Sequence, residues 1–368
     1  MEQKHIRVLH MIGSLGIGGA QTLMLSIQRK LNPEKVHIDY IFDRPDGHYF
    51  KPETDKLGSR YFYMPTFVGT NLLEVIKAWT RFFKANDEYK IIHAHVYTYA
   101  SIYLWIAKKF GLKTIIHSHN TSNGPGLKAR CKDFLQLPLR YQSDYLYACS
   151  LDAGKWLFGD DVESKPNFHL LKNGIDVESF RYSDEKRRAI REKYCIANDD
   201  IVFGHVGRFT IPKNHKYLLD VFAEILRHKP NSKLLMLGNG DLYEETIAKG
   251  KAMGISDKLI FAGGQSEVAP FYSAMDAFLF PSLFEGLPVS TLEAQANGLA
   301  CVCSDLISSE TVKSSLCCQI PLETSLWVQK SLEAIEKRRT TPDESVYAYD
   351  ITKAARELED FYFSILNN

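Results

Sequence analysis

The chain has 368 residues, of which 45% are hydrophobic and 24% charged, a composition typical of a globular protein with room for two domains. The formal net charge of +1 argues against nucleic acid as the main partner. The seven cysteines show neither the paired spacing of zinc ligands nor the density of a disulfide framework. Because no signal peptide and no apolar run of membrane-spanning length stands out, we expect a cytoplasmic protein.

Strand and helix patterns alternate along the first half of the chain. Short apolar runs are separated by stretches of helical periodicity, which is typical of a parallel sheet covered by helices on both faces. The strands are predicted at 5–12, 36–42, 61–64, 90–95, 113–119, 145–149 and 169–171, with helices after residue 19 and at 72–84 and 101–110. We therefore predict a Rossmann-like domain over residues 1–175, closed by a turn at 173–176.

A glycine-rich turn follows the first predicted strand. Gly18 and Gly19 stand directly before a helical pattern, so the backbone there is able to approach a phosphate, and the start of the helix offers free N–H groups. The glycine spacing does not match the dinucleotide fingerprint, and no P-loop lysine follows. Taken alone, this turn is equally typical of a plain tight turn.

Two His-x-His pairs end neighbouring strands of this half. Imidazoles two residues apart on one strand point the same way, an arrangement that suits a metal ion. No cluster of acidic residues accompanies His93, His95, His117 and His119, so we expect no metal, with one histidine of each pair packed and the other lining a cleft. His119 precedes a loop and is the best placed to contact substrate.

A basic and amphipathic segment spans residues 124–141. Its cations alternate with leucine and phenylalanine over 127–141, a pattern able to lie on an anionic membrane surface. A solvated helix face or an acceptor-site loop explains the same pattern and is favoured.

The alternation restarts in the second half, after a charged helix at 184–194. Strands are predicted at 201–206, 233–238, 258–261, 277–281 and 300–304, and helices at 216–227, 243–253, 267–274 and 290–297. We predict a second doubly wound domain over residues 176–349. The stretch 345–366 has apolar residues at helical spacing and is expected to pack on a domain surface.

Two groups of charged residues stand out in this second half. Arg208 and Lys213 directly follow its first strand and precede a helix, where two cations suit a diphosphate. Glu285 and Glu293 lie eight residues apart across a Gly-Leu-Pro turn, so that Glu285 falls in a loop and Glu293 inside the next helix. The two carboxylates are able to hold opposite ends of one elongated ligand.

Together these residues resemble the retaining glycosyltransferases of family 4, and the resemblance covers nearly the whole chain. The most specific part is the pair of glutamates around Gly-Leu-Pro, in the same chain order relative to Arg208 and Lys213. The resemblance implies the GT-B architecture, an α/β fold of two facing Rossmann-like domains with a cleft between them. It also implies that 1–175 is the acceptor domain, joined by a helix at 350–368, and that 176–349 is the donor domain.

The resemblance assigns most of the site to the donor domain. Arg208 and Lys213 are expected to neutralise the diphosphate of a nucleotide sugar in place of a metal. Glu285 is expected to accept hydrogen bonds from sugar hydroxyls, and Glu293 to bind the ribose. Further contacts are implied for the segment Gly286, Leu287, Pro288 and Val289, whose backbone N–H groups other than at the proline would hold the sugar or phosphate. Gly264 and Gln265 are implied at the base, His119 at the donor sugar and acceptor, and Gly18 and Gly19 along the cleft.

The implied activity is a retaining, metal-independent glycosyl transfer from a nucleotide sugar to a glycan or polyprenyl-linked acceptor, in capsular or exopolysaccharide synthesis at the inner face of the plasma membrane. A UDP-sugar is the expected donor, although contacts through backbone groups leave the base open. The alternatives are a nucleotide-sugar 2-epimerase of the same fold, a binding protein that transfers nothing, and a zinc hydrolase that uses the histidine pairs.

Overall fold

A computed structural model describes residues 5–16, 19–45, 47–120, 126–172, 174–285 and 287–367, apart from the side chains of 127–129. By internal contacts the chain divides into unit 1, which comprises Met1–Gly174 with Ile351–Asn368, and unit 2, Ile175–Asp350. These divisions lie within one residue of the boundaries drawn from the sequence. The acceptor and donor roles of the two units stay predictions.

Unit 1 contains a seven-stranded sheet in which all paired strands are parallel, in the order β3-β2-β1-β4-β5-β6-β7. The strands are β1 (Ile6–Met11), β2 (Val36–Phe42), β3 (Tyr61–Tyr63), β4 (Ile91–Ala94), β5 (Lys113–Ser118), β6 (Tyr145–Ala148) and β7 (Phe168–Leu170). The helices are α1 (Gly19–Gln28), α2 (Lys51–Lys56), α3 (Leu72–Ala85), α4 (Ala100–Lys109), α5 (Leu127–Gln136), α6 (Leu139–Gln142) and α7 (Leu151–Phe158).

Unit 2 contains a six-stranded parallel sheet in the order β10-β9-β8-β11-β12-β13. The strands are β8 (Ile201–Val206), β9 (Ser232–Leu237), β10 (Leu259–Gly263), β11 (Ala277–Phe280), β12 (Ala300–Ser304) and β13 (Cys317–Ile320). The helices are α8 (Val177–Phe180), α9 (Asp184–Lys193), α10 (His215–His228), α11 (Tyr243–Ala252), α12 (Ala269–Ala274), α13 (Val289–Ala296), α14 (Thr324–Ile335) and α15 (Glu344–Tyr347).

The last helix, α16 (Ile351–Asn367), belongs to unit 1 although it follows unit 2 in the chain. Its apolar stripe packs in the same core as β1, β2 and α1 and is buried at helical spacing. The stripe consists of Ile351, Ala355, Leu358, Tyr362 and Ile365. Burial of this stripe explains why the chain returns to unit 1.

Several elements were not foreseen from the sequence, among them α2, α7, α8, β13 and α14. The prediction that the strand at 300–304 is the last strand of the second domain is wrong, because β13 pairs with β12 and α14 follows it. Strand β13 reads Cys-Cys-Gln-Ile, which lacks a clear alternation of apolar and polar residues. Helix α7 did have a start signal, since the Ser150 hydroxyl accepts the Ala153 N–H at 3.2 Å as an N-cap.

Both sheets reverse their direction of winding beside their first strand. In unit 1 the reversal lies between β1 and β4, and in unit 2 between β8 and β11. In doubly wound sheets, ligands bind outside the carboxyl ends of the strands at this switch point. Within the described ranges, no helix combines the length and the apolar character needed to cross a membrane.

Candidate active site

The loops at the carboxyl edge of the unit 2 sheet are tied to one another by hydrogen bonds. The Phe209 N–H donates to the Asn239 carbonyl at 3.0 Å, which joins the loops after β8 and β9. The Gly264 N–H donates to Asn239 Oδ1 at 3.0 Å, and the Leu283 N–H to the Pro212 carbonyl at 2.8 Å. The loops after β8, β9, β10 and β11 therefore form one connected surface around the switch point.

Two glycines make the close approach of these loops feasible. Gly238 has φ +135°, and a Cβ at this position would collide with the carbonyl oxygen of Gly207. A Cβ on Gly240 would collide with the backbone of Phe209. The Gly-Asn-Gly sequence after β9 is thus required for the β8 loop to pack against it.

An ion pair stands at the switch point itself. Lys213 Nζ lies 2.7 Å from Glu285 Oε1, and the two side chains are 16% and 22% exposed. Lys213 ends a short 3-10 helix, Ile211–Lys213, after which Asn214 adopts a left-handed conformation with φ 56° and donates its side-chain N–H to the Pro281 carbonyl at 3.2 Å. The loops after β8 and β11 are thereby fixed with opposite charges in contact.

A second cation, Arg208, belongs to the same loop after β8 as Lys213. Arg208 follows Gly207, and a Cβ built on Gly207 would lie 3.1 Å from Lys213 Cδ, so the lysine stem passes directly over that glycine. The Arg208 side chain is exposed, and among the described residues it has no hydrogen-bond or ion-pair partner. The site therefore offers one paired cation and one free guanidinium, a donor set that suits a diphosphate.

The segment between the two glutamates is held by its own contacts. The Glu285 carbonyl accepts the Ser308 N–H at 3.2 Å, and Gly286 lies outside the described residues. Leu287 and Val289 pack against a small apolar cluster. Pro288 is buried and directly precedes α13. Helix α13 begins at Val289, one position before the predicted start at residue 290. The first N–H groups of α13 have no partner within the helix.

Glu293 lies inside α13 as predicted and has a partner that the sequence did not indicate. The Tyr272 hydroxyl donates to Glu293 Oε2 at 2.6 Å. The carboxyl is partly exposed, yet its surroundings are apolar enough that desolvation raises its pKa to about 7, although the tyrosine hydrogen bond acts in the opposite direction. The other carboxyl oxygen is left for a ligand.

The two residues expected at the base lie in the loop after β10. The backbone of Gly264 is held by Asn239, and the side chain of Gln265 donates to the Ala262 carbonyl. A Cβ on Gly264 would lie 2.5 Å from Asn239 Nδ2, so this position accepts only glycine without a shift of the asparagine. Their contact with a base stays a prediction.

In unit 1, five histidine rings cluster at the carboxyl ends of β1, β4 and β5. Two groups each bring one nitrogen per ring within 4.8 Å of the others, which is compatible with metal binding, and neither group includes a carboxylate. The groups are His10, His93 and His95, and His95, His117 and His119. The expectation that one histidine of each pair lines a cleft is wrong for the first pair, because His93 and His95 are both buried.

His119 is the member of this cluster that reaches solvent. Its ring is partly exposed, its backbone N–H donates to the Tyr97 hydroxyl at 2.8 Å, and desolvation lowers its pKa to about 3. Gly19 begins α1 and has open space where a Cβ would stand, whereas Gly18 lies outside the described residues. The contacts of His119, Gly18 and Gly19 with substrate stay predictions.

The sequence matches known proteins of one family. Residues 186–312 match the model of the family "Glycosyl transferases group 1". The putative glycosyltransferase EpsF of Bacillus subtilis is 33% identical over 316 residues, which cover 84% of this chain and 82% of that protein. The chain belongs to the group 1 glycosyltransferases. It is therefore a transferase, and the isomerase and hydrolase alternatives lose their basis.

Two further comparisons concern substrate and fold. The UDP-Gal:alpha-D-GlcNAc-diphosphoundecaprenol alpha-1,3-galactosyltransferase of Escherichia coli is 23% identical over 316 residues, covering 82% of this chain and 80% of that protein. The crystal structure of Anabaena Alr3699/HepE in complex with UDP superposes with a TM-score of 0.77 at 16% identity, over 98% of this chain and 100% of that one. This likeness confirms the predicted two-domain α/β fold of GT-B glycosyltransferases.

The raised pKa of Glu293 leads to a prediction about stability. Folding raises the pKa of the Glu293 carboxyl from 4.5 to about 7, so its stabilising effect is complete only below pH 4.5 and is lost as the pH rises from 4.5 through about 7. A glutamine keeps an acceptor for Tyr272 and cannot ionise. We expect the unfolding temperature of Glu293→Gln to exceed that of the wild type by more at pH 8 than at pH 5.

Thermal unfolding at the two pH values measures this difference. Glu245→Gln, at an exposed position of α11, is the matched control and should leave the gap between pH 5 and pH 8 unchanged. A Glu293→Gln variant that follows the wild type at both pH values would show that Glu293 ionises as an ordinary surface carboxyl.

Proposed function

We propose that unit 2 binds a nucleotide diphosphate sugar, with UDP as the nucleotide, and that the enzyme transfers the sugar with retention of anomeric configuration and without a metal ion. The proposal rests on one observation: the Lys213–Glu285 ion pair stands at the switch point of the sheet, and the exposed Arg208 belongs to the same loop after β8 as Lys213. Cations for a diphosphate and a carboxylate for a sugar are thereby adjacent.

The cations act on the leaving group. When the bond between the sugar carbon and the phosphate oxygen breaks, its electron pair stays with the diphosphate, and negative charge grows there. Lys213 and Arg208 stabilise that charge, which is the task that a metal ion performs in other transferases. The acceptor oxygen attacks from the face that the diphosphate leaves, and the departing phosphate oxygen takes the acceptor proton. No protein nucleophile is required.

The carboxylates orient the donor along its length. Glu285 accepts hydrogen bonds from sugar hydroxyls while Lys213 holds its other side, and its anionic charge favours a sugar carbon that becomes positive in the transition state. Glu293 uses the oxygen that Tyr272 leaves free to bind the ribose.

For the acceptor we propose a lipid-linked or polysaccharide glycan at the inner face of the membrane. Support comes from the Escherichia coli relative, whose name specifies a diphosphoundecaprenol acceptor. In unit 1, α5 and α6 expose Phe134 and Tyr141, which are 73% and 81% exposed, beside the exposed cations Arg130 and Lys132. Aromatic rings next to cations suit an anionic lipid surface, and we propose that residues 127–141 contact it.

A transfer assay tests this function. The enzyme is incubated with a panel of UDP- and GDP-sugars and a polyprenyl-diphosphate-linked sugar, with and without a chelator. We expect release of UDP that depends on the acceptor, a product of retained configuration, and equal rates with the chelator. Loss of activity in the chelator that added metal restores would contradict the metal-free proposal, and conversion of the donor to an epimer without acceptor would contradict transfer.

Glu285→Gln separates catalysis from binding. Because Glu285 is proposed to act mainly in the transition state, we expect turnover to fall by about 100-fold or more, while the dissociation constant for UDP changes by less than about threefold. Steady-state rates and calorimetric titration measure the two quantities.

The matched control is Glu310→Gln, at an exposed carboxylate in the loop after β12, which should leave both quantities unchanged. Equal losses of turnover and of UDP affinity in Glu285→Gln would show that the residue serves binding alone.

A further inference from the structure

The histidine cluster of unit 1 forms one continuous chain of hydrogen bonds. His119 Nε2 lies 2.8 Å from His95 Nδ1, and His95 Nε2 lies 3.0 Å from His10 Nδ1. The hydroxyl of Tyr362, on α16, then lies between His10 Nε2 at 3.1 Å and His93 Nδ1 at 2.7 Å.

The chain ends inside the protein. His93 Nε2 lies 3.2 Å from His117 Nδ1, and the remaining nitrogen, His117 Nε2, is buried without a hydrogen-bond partner among the described residues. The other end is His119 Nδ1, on a ring that is partly exposed. Six groups are therefore joined by five hydrogen bonds, and the chain has a buried end at His117 and a partly exposed end at His119.

All five rings are neutral at neutral pH. Burial lowers the pKa of His10 and His119 to about 3 and those of His93, His95 and His117 well below the ordinary value. A neutral imidazole has one N–H and one acceptor nitrogen, and a tyrosine hydroxyl has one proton. Six protons are thus available for five hydrogen bonds.

Only two proton arrangements satisfy every hydrogen bond. Along the chain, the Nε2 of each ring contacts the Nδ1 of the next ring, and between His10 and His93 the Tyr362 hydroxyl stands between these two nitrogens. If every contact is to hold one hydrogen, all five rings must be protonated on Nδ1, or all five on Nε2. Any mixture places two hydrogens or two lone pairs between neighbouring groups about 3 Å apart, which loses a buried hydrogen bond. The tautomers of the five rings are therefore coupled.

The ends of the chain decide between the two arrangements. Protonation on Nε2 leaves the N–H of His117 buried without an acceptor, and orphaned buried N–H groups are rare in proteins. Protonation on Nδ1 leaves only a lone pair at that end and puts the sixth proton on His119 Nδ1, at the one partly exposed residue of the hydrogen-bonded chain and not among the buried unpaired atoms found in the described residues. The Nδ1–H arrangement is the one that the burial pattern favours.

We infer that Tyr362 and the four buried histidines hold His119 as its Nδ1–H tautomer, so that its ring offers a hydrogen-bond donor. Its Nε2 is already occupied by His95, so His119 does not take a proton there as a general base. Tyr362 is a positioning residue supplied by the last helix. The tautomer assignment does not depend on the proposed function. Donation by His119 to an oxygen of a substrate sugar or phosphate does rest on the proposed function.

Nitrogen-15 NMR of the metal-free enzyme with labelled histidine tests the inference without any activity measurement. Long-range proton–nitrogen correlations distinguish Nδ1–H from Nε2–H rings, and single substitutions assign the five signal sets. We expect all five rings as Nδ1–H tautomers. An Nε2–H ring among the five would overturn the assignment, as would a stoichiometric transition metal in the purified enzyme whose removal changes these signals.

Tyr362→Phe tests the coupling through the hydroxyl. Loss of the hydroxyl separates His93 and His117 from the rest and leaves either tautomer of that pair with one unpaired buried N–H. We expect mixed tautomers at those two rings, whereas His10, His95 and His119 keep Nδ1–H. The matched control is Tyr40→Phe, because the Tyr40 ring packs on His10 but its hydroxyl donates to Gln28.

Unchanged tautomers at all five rings in Tyr362→Phe would overturn the coupling, as would the same redistribution in Tyr40→Phe. If Tyr362→Phe does not fold, the wild-type spectrum alone decides, because one Nε2–H ring among the five contradicts the chain. Failure of the transfer assay with five Nδ1–H rings would count against the proposed function and not against the tautomers.

Discussion

The contact between Lys213 and Glu285 is the constraint on which the unit 2 site depends. A lysine and a glutamate that are both mostly buried must be paired, because a single buried charge is costly. Their contact joins the loops after β8 and β11, between which the sheet reverses its winding. The glycines after β9 and the Asn239 contacts then hold the neighbouring loops against this pair.

Much of the fold follows from local sequence. Buried parallel strands such as β8 and β12 have continuous apolar runs, and their predicted bounds agree with the structure. Strand β13 is an edge strand whose pairing with β12 comes from tertiary contact rather than from a pattern of its own, so it could not be foreseen. The return of α16 to unit 1 was foreseen only through family resemblance.

The site residues that differ from their neighbours in charge and spacing could be predicted from the sequence. Those that reach the site only through contacts between distant parts of the chain could not. Arg208, Lys213, Glu285 and Glu293 stand out by charge and spacing. Tyr272 comes from α12, and only the folded chain brings its hydroxyl to Glu293. The histidine pairs were visible, but the hydrogen bonds of Tyr362 to His93 and His10 join residues 269 and 352 positions apart in the chain.

Calorimetric titration of UMP and UDP shows whether Arg208 and Lys213 bind the diphosphate of the donor. If they do, UDP binds the wild type more tightly than UMP, and Arg208→Ala weakens UDP by roughly tenfold or more while it changes UMP far less. Arg227→Ala, at an exposed cation of α10, should change neither affinity. Equal weakening of UMP and UDP by Arg208→Ala, or no preference for UDP in the wild type, would show that these cations do not bind the diphosphate.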